Sequence, residues 1–176
     1  MAPVLISDER AVAVSAERLW KLFLDVPAMP KVCAGFIDVV EVEGDGGPGT
    51  VNSMKMNPAA NGGGLYKTRV VARDDAAHVF KSEVLEAPAG ELGDKLKSHS
   101  TETKLEAVGD GSCVAKLKVE YELADTGSSL SPEKEKTILE GYFGMLKSQD
   151  DRGIPRRQPC RIRLKMHPSI HPSHCW

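Results

Sequence analysis

No stretch of this chain approaches the roughly 20 apolar residues that a membrane-crossing helix needs. The opening MAPVLISDERAVAV places charges where a signal peptide needs an apolar run, so a cytoplasmic location is expected, with the nucleus as a second compartment. Paired cysteine spacing is also missing: Cys33, Cys113, Cys160 and Cys175 stand singly. In a reducing compartment these are expected to be free thiols. Repeats and low-complexity tracts are absent, and 176 residues suffice for one domain with a real core but not for two comfortable ones.

The body of the chain has no basic excess. The net charge is -2, yet the segment 149–176 holds six Lys/Arg against Asp150 and Asp151, a local +4 that leaves -6 for the remainder. A general polyanion-binding surface on the body, and with it specific nucleic-acid binding, is therefore not expected.

What is present is an alternation of strand signals. Val4 to Val14 can form a strand, and Ser15 then caps SAERLWKLFLD, a helix with an apolar stripe of Leu19, Trp20, Leu22 and Phe23. The prolines in PAMPKVCAGF keep a second helix short. Six further strand-like runs follow: IDVVEVE, TVNSMKM, LYKTRVVAR, HVFKSEVLE, DKLKSHSTETKLEAV and CVAKLKVEYEL. In the first, Ile37 and Val39 are expected on one face, with Val40 and Val42 on the other. In the last, Cys113, Ala115, Leu117, Val119 and Tyr121 face one way and Lys116, Lys118, Glu120 and Glu122 the other. SPEKEKTILEGYFGMLK then predicts a long helix, with Ser131 as cap, Pro132 at the first helical position and acidic residues in the first turn. Short antiparallel strands followed by one long amphipathic helix predict an α+β domain whose curved sheet closes over that helix.

The stretch EGDGGPGT invites comparison with nucleotide-binding loops, but a P-loop needs a Lys-Ser/Thr pair and a following helix. Here Gly49 leads into Thr50, Val51 and Asn52 on a strand. Gly44, Gly46, Gly47 and Gly49 are read as a rigid connector between antiparallel strands.

Together EVEGDGGPGTV, SAERLWKLF, KTRV, GELGDKLKSHSTETKLEAVGDGSCVAKLKVEYEL and SPEKEKTILEGYFGMLK resemble the class-ten intracellular pathogenesis-related proteins of plants, the family of the major birch pollen allergen. The likeness runs in order up to Lys147 and is greatest to the probenazole-inducible cereal members. It implies a helix-grip fold: a seven-stranded curved antiparallel sheet wrapped on the long helix, two short helices, and an internal hydrophobic cavity. It also implies a monomeric carrier of small hydrophobic or amphipathic ligands, such as cytokinins, flavonoids, sterols or abscisic-acid-like molecules, acting in plant defence and stress. No membrane, cofactor or metal is called for.

In such a cavity Phe80, Val84, Leu117, Val119, Tyr121, Ile138, Tyr142 and Met145 would form the apolar lining, and His99 and Thr101 the polar groups that orient a ligand. Thr103 points the same way by alternation. Taken singly, each of these aromatic or aliphatic side chains is better read as core. His99 has no carboxylate or nucleophile evidently placed to work with it, so no catalytic residue is assigned. The ribonuclease activity attributed to the family rests on a lysine that falls here on Asn52, a glutamate that falls on Lys97, and a helix-end glutamate and tyrosine without counterparts. The related branch of hormone-dependent phosphatase regulators carries a gate motif that EAPAGELG does not reproduce.

The domain is expected over 1–148, with 149–176 an aberrant, disordered tail in which Gly153 and Pro155 break the helix. One permitted codon choice for Gln149 to Leu164, read one nucleotide later, encodes KMIEEYLVANPAEYA and a stop, which resembles the family's ending. A frame change near Lys147 and Ser148 accounts for the tail's basic and His/Cys-rich composition without an RNA-binding or zinc-binding role. His167, His171, His174 and Cys175 show no recognised zinc spacing. Loss of the apolar helix end predicts a less stable protein with a more open cavity.

Overall fold

The computed structural model describes residues 2–32, 34–35, 37–61, 63–87, 95–125 and 128–150. Strand β1 (Val4–Val12) leads into α1 (Ala16–Leu24), a 3-10 turn (Val26–Ala28) and α2 (Met29–Val32). Six strands follow: β2 (Ile37–Glu43), β3 (Val51–Met56), β4 (Leu65–Asp74), β5 (Val79–Glu86), β6 (Leu96–Val108) and β7 (Ser112–Leu123). A short α3 (Pro58–Asn61) joins β3 to β4, and α4 (Pro132–Asp150) follows β7. The strands form one antiparallel sheet in the order β1-β7-β6-β5-β4-β3-β2, so β1 crosses the fold to pair with β7.

Local chemistry explains the boundaries. The Ser15 side chain accepts a hydrogen bond from the Arg18 amide at 3.3 Å, and Ser131 does the same for Lys134 at 3.3 Å, each satisfying one orphan donor of its helix. Asn57 Oδ1 accepts from the Ala59 amide at 2.9 Å and opens α3, a helix that the polar NPAANGGG stretch did not announce. The β4–β5 turn is held by Asp74 Oδ1, which accepts from Ala76 and Ala77, and His78 adopts a positive φ of 51° there. Trp20 on α1 reaches this corner, donating from Nε1 to Asp75 Oδ1 at 2.9 Å and lying 5.3 Å from the His78 ring.

The alternation expected for β7 is present: Cys113, Ala115, Leu117, Val119 and Tyr121 are buried, while their neighbours are wholly or partly exposed. They join Leu105, Trp20 and the α4 side chains Ile138, Leu139, Phe143 and Leu146 in one core. At roughly 1.5–3 kcal/mol for each large apolar side chain, this packing is what holds α4 on the sheet. Tyr121 is fully buried, and its hydroxyl donates to Glu135 Oε1 at 2.7 Å, fixing the first turns of α4.

In β2 the expected faces need correction. The pairing with β3 slips between Ile37 and Val39, a bulge that adds one residue and turns the following side chains over. Ile37 is buried, but Val39 is 46% exposed, and Val42, though still 38% exposed, lies on the side that lines the cavity.

Candidate functional site

The core fills only part of the concave face. Next to it, toward the β2–β5 side, the sheet and the first helices line a partly open cavity of about 140 Å3. A space of roughly that size accepts a single aromatic ring in other proteins.

Strand alternation supplies its floor. Tyr66, Thr68 and Val70 stand two residues apart on β4, facing Asn52 and Met54 of β3 on one side and Phe80 and Ser82 of β5 on the other. Thr101 and Thr103 of β6 complete that wall. Phe23 and Leu24 at the end of α1, with Val26, Pro27 and Met29 after it, cover the space. Phe23 meets Phe80 edge to face at 5.1 Å, which ties this cover to the sheet.

Its polar groups form a chain. The hydroxyls of Tyr66 and Tyr142 are 3.0 Å apart, and the Tyr142 hydroxyl lies 3.2 Å from His99 Nε2. Both tyrosines line the cavity, while His99 stands behind Tyr142, 5% exposed. Burial lowers the His99 pKa to about 4, so the ring is neutral near neutral pH. Burial likewise pushes both phenols above their ordinary value, so neither is a phenolate. The His99–Tyr142–Tyr66 chain therefore offers neutral donors and acceptors, while Arg73, also in the lining, brings a guanidinium paired with Asp75 at 2.8 Å. Ser82 and Thr101 hydroxyls pair at 3.1 Å on the adjoining wall.

Of the residues anticipated from the sequence, Phe80, Thr101 and Tyr142 meet at the cavity, and His99 joins them through Tyr142. Leu117, Val119, Tyr121 and Ile138 lie instead in the closed core, because α4 and α1 pack directly on that part of the sheet. Val84 is half-buried on β5 and outside the lining, and the Met145 side chain is not among the described residues. Tyr66, Asn52, Met54, Thr68 and Val70, together with the cover residues, were not singled out from sequence as lining residues.

The glycine connector is braced rather than open. Thr50 Oγ1 accepts from the Gly46 amide at 2.9 Å, Asp45 Oδ1 accepts from Gly47 at 2.9 Å, and Arg73 Nη1 donates to the Gly46 carbonyl at 3.3 Å. Gly44, Gly46 and Gly49 all have positive φ, and a Cβ at Gly44 would sit 2.6 Å from Thr50 Oγ1. Of the two positions aligned with the attributed ribonuclease site, Asn52 is buried in the cavity wall, whereas Lys97 is exposed and pairs with Glu122 at 2.9 Å. Among the described residues no group of three or more His, Cys, Asp or Glu is placed to hold a metal, and no helix is long and apolar enough to cross a membrane.

A family model described as polyketide cyclase / dehydrase and lipid transport matches residues 3–144. The major pollen allergen Bet v 1-C of Betula pendula is 33% identical over 116 residues, 64% of this chain and 71% of the allergen. The pathogenesis-related protein STH-2 of Solanum tuberosum is 32% identical over 114 residues, 64% of this chain and 70% of its own length. Among solved structures, that of Ara h 8.0201 superposes with a TM-score of 0.72, covering 88% of this chain and 99% of its own; at 22% identity it speaks for the fold alone. Fold, matched span and relatives agree: the chain belongs to the polyketide cyclase / dehydrase and lipid transport family, as a class-ten pathogenesis-related protein of the Bet v 1 type.

Proposed function

We propose that this protein is a cytoplasmic, monomeric carrier of small hydrophobic or amphipathic molecules in plant defence, akin to the inducible cereal members of its family, and that it holds its ligand in the cavity between β3–β6, α1 and α4. The observation that carries this reading is the cavity's composition: walls of Phe23, Met54, Val70 and Phe80 with one hydrogen-bonded chain of Tyr66, Tyr142 and His99 reaching into them. Apolar walls supply affinity by removing ligand surface from water, and a few fixed polar groups supply orientation. Ligands of the cytokinin, flavonoid, sterol or abscisic-acid-like kinds share that mixture of apolar body and isolated polar groups. The small size of the space favours the compact ones.

Catalysis is not part of the proposal. Among the described residues the neutral imidazole has no carboxylate beside it, and its pKa near 4 makes it a weak base. Calorimetric titration of the full chain with a panel of cytokinins, flavonoids, sterols and abscisic acid, beside an RNA-degradation assay on rigorously purified protein, tests the reading. Saturable one-site binding of one ligand class without RNA cleavage supports it. RNA cleavage abolished by His99→Gln, with no ligand bound, overturns it.

A further inference from the structure

Strand β3 carries a buried amide that the fold itself leaves unused. Asn52 is 5% exposed, stands in register between Val42 of β2 and Thr68 of β4, and lines the cavity together with both. Among the described residues nothing hydrogen-bonds to its side chain, and the same is true of the Thr68 and Thr103 hydroxyls. A buried polar group without a partner costs stability, so these groups are to be met from outside the chain, by water or by a ligand.

The polar groups of the lining differ in what they can offer. Thr68 and Thr103 each present one hydroxyl, and a single oxygen meets a ligand at a single point. Ser82 and Thr101 pair with each other at 3.1 Å, and Tyr66 and Tyr142 are joined at 3.0 Å. Arg73 gives two nitrogens to Asp75 at 2.8 and 3.0 Å and a third to the Gly46 carbonyl at 3.3 Å, so its charge is answered within the fold. Asn52 alone in the lining holds a donor and an acceptor side by side on one rigid plane. Turning that plane over exchanges oxygen for nitrogen and presents the same pair, so the argument needs no particular orientation of the amide.

We infer that Asn52 is a specificity-determining residue of the cavity, pairing through two hydrogen bonds with a neutral ligand group that carries a donor beside an acceptor. Carboxamides, lactams and amino-substituted nitrogen rings present such an edge. This rests on the carrier reading and sharpens it from a general apolar pocket to a ligand class. Phe23, Met29 and Met54 supply the apolar contact for the body of the same ligand. A neutral edge suits the site because Arg73, the charged side chain of the lining, is already held by Asp75.

The test uses benzamide, acetophenone and α-methylstyrene, which match in shape and offer a donor with an acceptor, an acceptor alone, and neither. Affinities are read by NMR titration of the full chain, of Asn52→Leu and of Thr68→Val, with folding of each variant checked by its amide spectrum. Asn52→Leu is expected to weaken benzamide about tenfold, to weaken acetophenone clearly less, and to bind α-methylstyrene at least as tightly as before. Thr68→Val is expected to change benzamide affinity by no more than about twofold. On the unaltered chain, the Asn52 side-chain NH2 signals are expected to move further downfield with benzamide than with α-methylstyrene. Equal weakening of benzamide and acetophenone in Asn52→Leu, a larger benzamide loss in Thr68→Val, or the same NH2 shift with both compounds overturns the inference while the carrier reading stands. If none of the three binds saturably, the carrier reading fails and takes the subsite with it.

Discussion

The hydroxyls of Tyr66 on β4 and Tyr142 on α4 lie 3.0 Å apart, joining the floor of the cavity to the helix that the sheet grips. Tyr142 also meets His99 on β6, so one hydroxyl links three elements distant in sequence. Removing it with Tyr142→Phe keeps the ring's packing but strips both neighbours of a partner. A stability loss of about 1–3 kcal/mol is expected, read as a lower urea midpoint at unchanged slope. An unchanged midpoint would show that the chain contributes nothing to folding.

Acid should act through His99. Its ordinary pKa of 6.5 is lowered to about 4 by burial, so between these values the unfolded chain binds a proton that the folded one refuses. The group's effect is absent above about 6.5, grows as pH falls toward 4, and then levels off. Its full size is roughly 3 kcal/mol at 1.4 kcal/mol per unit. Melting temperatures measured between pH 7 and 4 are expected to fall more steeply for the unaltered chain than for His99→Gln. Parallel curves would contradict this.

In the glycine connector, two substitutions separate crowding from backbone strain. Gly44 at φ 130° has Thr50 Oγ1 at 2.6 Å and Thr50 Cα at 2.9 Å from a modest added methyl, while Gly49 at φ 91° has open space around it. Gly49→Ala is expected to cost about 1–2 kcal/mol from strain, and Gly44→Ala on the order of 3 kcal/mol or more, because Thr50 is buried and braces the loop. Denaturant midpoints in the reverse order would refute the bracing role.

Much of this was legible from residue order. A two-residue period is read directly, so the inward set of β7 and the inward direction of His99, Thr101 and Thr103 follow from alternation alone. Capping serines announce α1 and α4 because their side-chain oxygens are local partners for helix amides. Long-range placement is not local. Leu117 and Thr103 oppose each other in register and both point inward, yet Leu117 falls under α4 and Thr103 at the cavity, and nothing in either strand encodes where the helix lies. Tyr66 escaped notice because its hydroxyl's partner, Tyr142, is a residue 76 positions away. The β2 bulge escaped because IDVVEVE alternates well enough without it.

The ending 149–176 falls, from residue 151 onward, outside the described residues. We propose that it is the product of a frame change and that the helix naturally continues with an apolar stripe. Sequencing the transcript should reveal a shifted frame encoding a family-like ending. A chain carrying that ending should be more stable by about 3 kcal/mol or more, since each large side chain buried adds roughly 1.5–3 kcal/mol. A transcript without such a frame, or an unchanged melting temperature, counts against it.

The central claim is that a ligand occupies the cavity lined by Phe23, Met54, Tyr66 and Phe80 and leaves the neighbouring core untouched. It is tested most directly by following methyl, aromatic and amide NMR signals while the full chain is titrated with α-methylstyrene. Saturable changes are expected at Phe23, Met54, Tyr66 and Phe80, which line the cavity, with little change at Leu117, Val119 and Cys113 in the core. Changes confined to the exposed apolar side chains Val4, Leu5 and Val39, or none that saturate, would contradict the account.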